Sequence, residues 1–130
     1  MKCLLKIDIF ATISTEQGER HDAICLIKET TLPLYPFIGL NIRLEPSILT
    51  DDPRVEILSR LYPIVPPLGL VAARNIYCTE GTDEVTVKCD PLHFTSLEVF
   101  EAAKTIFTMD YGFRDLLSVE EIEDGDLEPQ

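Results

Sequence analysis

The chain has 130 residues, enough to bury a working core in one domain without disulfides or metals. Hydrophobic residues make up 45% and charged residues 26%, a balance that excludes a disordered chain. A net charge of -12 argues against a nucleic-acid partner, because tracking phosphates needs clustered Lys and Arg to displace counterions.

Near the N-terminus Leu5, Ile7, Ile9, Ala11 and Ile13 alternate with Lys6, Asp8 and Thr12, the period of a half-buried strand over residues 3–13. Lys6 and Asp8 also break the apolar run before a secretory segment or a membrane span is complete, so no membrane association is expected. Glu16 to Glu19 supply a polar connection containing Gly18, and Ala23 to Thr31 read as the returning strand of a hairpin.

Leu32 to Leu40 carry two prolines and no charge. Pro33 and Pro36 keep this stretch out of a central ladder, because proline has no backbone N–H to donate. Loops normally run over the surface and are polar, so an apolar loop needs cover. Either Leu34, Phe37 and Ile38 plug one end of the core, with Gly39 supplying an unusual backbone conformation, or Tyr35, Pro36 and Phe37 rim a ligand entrance or a subunit interface.

Asn41 to Leu44 alternate again. Residues 53–62 fit two templates: Asp52 and Pro53 resemble a helix start with Val55, Leu58 and Leu61 at helical spacing, whereas Val55, Ile57, Ser59 and Leu61 alternate as a strand does. The strand is favoured, since a helix stopping before Pro63 would have only about two to three turns. After the proline-rich loop to Gly69, Leu70 to Cys78 and Glu84 to Cys89 form a second hairpin around Gly81, with Val85, Val87 and Cys89 on one face and Glu84, Thr86 and Lys88 on the other.

Beyond Pro91 the period changes to that of a helix. Thr95 with Glu98 makes a capping-box pattern, and Val99, Phe100, Ala103, Ile106 and Phe107 form one apolar stripe ending near Gly112. Leu116, Leu117 and Val119 form a short docking group before an acidic end. Residues 119–130 hold Glu120, Glu121, Glu123, Asp124, Asp126 and Glu128 with no Lys or Arg, half of the net charge. Such a segment reads as a solvated tail, or as an electrostatic arm for a basic partner.

The chemistry-bearing residues form no catalytic signature: no G-x-S-x-G, P-loop, H-E-x-x-H or dinucleotide fingerprint is present. Cys3, Cys25, Cys78 and Cys89 match no zinc, redox or disulfide spacing and read as buried free thiols, which together with the N-terminal pattern points to a cytoplasmic protein of bacterial type. A metal set drawn from Cys78, Cys89, Asp90 and His93 lacks a recognised spacing; Cys89 falls on the inward face and His93 in a connection, so neither metal nor cofactor is expected. The pairs Asp51 with Asp52 and Asp83 with Glu84 adjoin turns, where acids serve backbone hydrogen bonding. His21, beside Arg20, reads as an exposed turn residue.

The expected architecture is α+β: five to six short strands in a curved, meander-like antiparallel sheet against one C-terminal helix, with residues 1–118 as the domain and 119–130 as the tail. A binding protein without catalytic activity is the leading expectation, an acidic inhibitor or immunity-type partner of a basic protein. Self-association through the apolar loop is a further option. The alternative is a small-molecule binder or unusual enzyme with a pocket near Leu32 to Leu40, its mouth at Tyr35, Phe37 and Tyr62, where Arg60 and Arg74 would grip a carboxylate. Deleting residues 120–130 is expected to leave the urea denaturation midpoint unchanged, and a clear drop would place the tail within the fold.

Overall fold

The computed structural model describes residues 1–45, 70–109 and 111–116. Strands β1 (Lys2–Thr15) and β2 (Gly18–Thr31) pair antiparallel in unbroken register from Lys2 with Thr31 to Thr15 with Gly18. The hairpin is longer than the hydrophobic pattern implies, and only Glu16 and Gln17 are left as the turn. Gly18 takes φ +124°, which side chains on other residues resist, and the Thr15 hydroxyl donates to its carbonyl at 2.7 Å. The distal half, from Ser14 to Asp22, is polar and rests on ladder bonds and cross-strand pairs, which leave no apolar alternation to read.

Five further strands follow among the described residues: β3 (Asn41–Arg43), β4 (Leu70–Cys78), β5 (Val85–Cys89), β6 (Leu92–Phe94) and β7 (Arg114–Asp115). Their order is β3-β4-β5-β1-β2-β7, with β6 also on β1. The result is a mostly antiparallel sheet against one helix, the expected α+β class. The meander breaks at the centre, where β5 and then β6 run parallel to β1. Lys6 faces Lys88 and Ile9 faces Leu92, so one extra residue is taken up between the two ladders at Asp90 and Pro91. Pro91 brings no N–H to a ladder, and the Asp90 N–H turns aside to the Ala72 carbonyl at 2.9 Å.

Helix α1 (Leu97–Met109) packs on β1 and β6. Its cap is Ser96 and not Thr95: the Val99 N–H donates to Ser96 Oγ at 3.4 Å and the Phe100 N–H to the Ser96 carbonyl at 3.0 Å. Val99, Phe100, Ala103, Ile106 and Phe107 are buried as the stripe requires, with Ala102 beside them. At the far end Gly112 has φ +75°, and the Phe113 N–H donates to the Phe107 carbonyl at 3.0 Å, folding the chain back into β7.

Phe107 is the hub of this packing. It is fully buried, meets Phe113 edge to face at 5.4 Å and lies 5.9 Å from Tyr111. Lys28 Nζ sits 5.8 Å from the Phe113 ring centre, and burial lowers the pKa of that lysine. Facing the helix are Leu5, Ile7, Ile9 and Ala11 of β1, Ile24 and Leu26 of β2, Val87 and Cys89 of β5, and Phe94 of β6.

Two further features differ from the sequence reading. Thr86 is buried at 2% exposure although it lies on the face opposite the helix; Leu4 and Tyr77 stand beside it across its two ladders. Strands β6 and β7 have three and two residues, too few to show a period. Residues 53–62, Leu117, Val119 and the acidic tail lie outside the described residues. Phe107→Ala is expected to cost about 3–5 kcal/mol in urea denaturation, because it empties the contact between helix, β1 and Phe113. A midpoint equal to wild type would refute this account of the core.

Candidate functional site

The apolar loop does not plug the core. Only Leu32 is buried and Leu40 packed against the core, whereas Leu34 is 46% exposed, Tyr35 77%, Phe37 56% and Ile38 70%. The loop is nevertheless anchored: the Leu40 N–H donates to the Phe37 carbonyl at 3.0 Å, the Gly39 N–H to the Ala73 carbonyl at 2.8 Å, and the Ala73 N–H to the Leu40 carbonyl at 2.8 Å. Gly39 at φ +95° makes the return into β3. Two prolines stiffen the run between Leu32 and Gly39, so the four exposed side chains are presented by a restrained backbone.

Arg74 lies beside this loop in the chain's topology, because it follows Ala73, whose amide and carbonyl hold Gly39 and Leu40. The β4–β5 register slips between Ala73 and Asn75, so Arg74 is the extra residue of a bulge, a device that re-aims a side chain at a sheet edge; it is exposed. Tyr35, Phe37 and Arg74 thus share one end of the sheet. Arg60 and Tyr62 lie outside the described residues.

The proposed metal set does not converge. Cys89 is buried on the helix-facing side and pairs in register with Ala73, whereas Cys78 is exposed at the other end of the same hairpin. This also corrects the reading of all four thiols as buried: Cys3 and Cys89 are, Cys25 is half-buried and Cys78 is not. Burial, and secondly the charge of Asp90, pushes the Cys89 thiol from 9.0 up to about 12, so it stays protonated and structural. Cys25 is pushed to about 11 by burial and by its hydrogen bond with Asp8. Asp83 and Glu84 border a cavity of about 300 Å³ with Lys2 and Glu29; the side chain that bonds the backbone at this turn is that of Thr82, whose Oγ1 donates to the Thr79 carbonyl at 3.0 Å and accepts from the Glu84 N–H at 3.3 Å.

A second constellation was not legible in the sequence. On the face of the sheet away from the helix, His93 of β6 and His21 of β2 flank Thr12 of β1. His93 Nε2 is 2.9 Å from Thr12 Oγ1 and His21 Nδ1 is 3.4 Å from it, while His21 Nε2 lies 3.5 Å from Glu19 Oε2. A hydroxyl has one proton, so one assignment satisfies the whole chain: His93 Nε2–H donates to Thr12, Thr12 O–H to His21 Nδ1, and His21 Nε2–H to the Glu19 carboxylate. Phe10, Ala11 and Ala23 line a cavity of about 400 Å³ beside them. Close by, Asp22 Oδ2 is shielded from solvent and lies 3.0 Å from Arg20 Nε as an ion pair without an aligned hydrogen bond.

The histidines are 72 residues apart and share no motif, so only the parallel docking of β6 on β1 unites them. The side chains of His21 and Glu19 are 67% and 64% exposed, which suits ligand contact better than catalysis in an excluded site. Among the described residues no group of three or more His, Cys, Asp or Glu side chains gathers as a metal site, and no helix is long and apolar enough to cross a membrane.

Compared with protein-family models, curated proteins and solved structures, the chain matches none. The geometry of Cys89 has a measurable consequence at high pH. A thiol that ionises at 9.0 when unfolded and at about 12 when folded contributes stability below pH 9 and loses it as pH rises towards 12. Urea midpoints are expected to fall through that window, and Cys89→Ala to flatten part of the fall. An equally steep fall in that variant would show that Cys89 ionises freely in the fold.

Proposed function

We propose that this chain is a small binding protein without catalytic activity, whose contact surface is the loop from Leu34 to Ile38 and whose partner is a basic protein. The observation that carries the reading is the exposure of Leu34, Tyr35, Phe37 and Ile38 on a backbone pinned to Ala73. Aromatic and large aliphatic side chains held in place are the usual energetic centre of a protein interface, and a restrained loop loses little entropy on docking. The net charge of -12 favours a basic partner, which it would steer from a distance, and Arg74 at the loop's side would add a carboxylate contact. Four cysteines without disulfides suit a reducing, cytoplasmic setting.

The small-molecule reading finds its support elsewhere, in the cavity of about 400 Å³ beside Thr12, and not at Tyr35 and Phe37, which are too exposed to wall a pocket.

The test is affinity capture with the immobilised full chain at low salt and at about 0.5 M salt, where the Debye length falls to a few ångströms. A stoichiometric basic protein is expected at low salt, retained weakly at high salt, with Phe37→Asp cutting affinity by roughly 30-fold or more, the size of an interface hot spot. Capture of nothing stoichiometric, or binding indifferent to Phe37→Asp, would end this reading. Self-association lost in Phe37→Asp would assign the loop to a second copy of the chain.

A further inference from the structure

We propose that His93 Nε2, His21 Nδ1 and Thr12 Oγ1 form a surface site for a divalent first-row cation of the zinc type. The site belongs to β1, β2 and β6 and is independent of the loop leading into β3. Two imidazole nitrogens, one from each strand flanking β1, approach the same Thr12 hydroxyl oxygen, at 2.9 and 3.4 Å. Donors held about 2.0–2.1 Å from one tetrahedral ion lie roughly 3.3–3.4 Å from each other, so the spacing approximates the edges of a coordination polyhedron. An ion seated above Thr12 requires the two exposed rings to turn towards each other over that hydroxyl.

The surroundings fit the same ion. Glu19 lies 3.5 Å from the far nitrogen of His21, the carboxylate–imidazole pairing that fixes a metal-ligating tautomer and raises its basicity. His93 reaches the ligating form by shifting its proton from Nε2 to Nδ1 through solvent, so the protein as a whole loses no proton. The cavity of about 400 Å³ leaves space for the water ligands that complete the coordination. Electrostatics also favour a cation: the chain carries -12, and the nearby Arg20 guanidinium is engaged by Asp22 at 3.0 Å. Two imidazoles select borderline ions over calcium or magnesium, which prefer oxygen cages.

The experiment is a titration of Zn²⁺ into the full-length Cys78→Ser protein at neutral pH, followed through the imidazole nitrogens by NMR. That variant removes the exposed thiol, the obvious competing zinc ligand. Saturable binding is expected to perturb both histidine rings, to weaken by at least roughly 10-fold in His21→Asn and in His93→Asn, and to weaken by about 10-fold in Glu19→Gln. Ca²⁺ is expected to leave both rings unchanged. Imidazoles unmoved at millimolar Zn²⁺, binding that survives both histidine variants, or equal competition by Ca²⁺ would each overturn the proposal. The substituted histidines and Glu19 are exposed, so these variants keep the fold intact.

Discussion

Backbone hydrogen bonding along β1 is the constraint on which the other elements depend. On one side β1 pairs with β2 over all fourteen residues; on the other it carries β5 and then β6. Because side chains alternate along a strand, this pairing also decides which residues meet the helix and which meet solvent. A slip of one residue would exchange Leu5, Ile7 and Ile9 for Lys6, Asp8 and Phe10 beneath α1, so the apolar pattern holds the register in place.

The same alternation gives the two faces different tasks. The inner face supplies stability, with Phe107 set among aliphatic strand residues and Phe113. The outer face carries Asp8 with Lys88 at 3.6 Å, Cys25 opposite Asp8 in the ladder, and the chain from His93 through Thr12 and His21 to Glu19. Exposed ion pairs of this sort add little to stability, so these polar groups are free to be used for recognition.

The two surfaces proposed for binding differ in physical character. The loop at the β3 end offers apolar area on a stiff backbone, and its bonds to Ala73 keep that area away from the core. The imidazole cluster offers directed lone pairs on a rigid sheet, where three neighbouring strands fix the spacing better than a loop would. A strongly acidic chain favours positive charge at both, whether spread over a protein or concentrated in an ion.

The sequence by itself determined the elements that leave a period over many residues. The first strand through Ile13, the hairpin of Leu70 to Cys89 and the stripe from Val99 to Phe107 are local patterns in which alternation or helical spacing states directly which side is buried. It also marked Leu32 to Leu40 as unusual and placed Arg74 among the candidates. Tertiary structure alone decided the rest. Whether Leu34, Phe37 and Ile38 turn inward depends on where Gly39 and Leu40 are bonded, and the partner is Ala73, more than thirty residues away. The approach of both His21 and His93 to Thr12 depends on a three-residue strand lying parallel to β1, a pairing between residues too distant in the chain to leave any local periodicity.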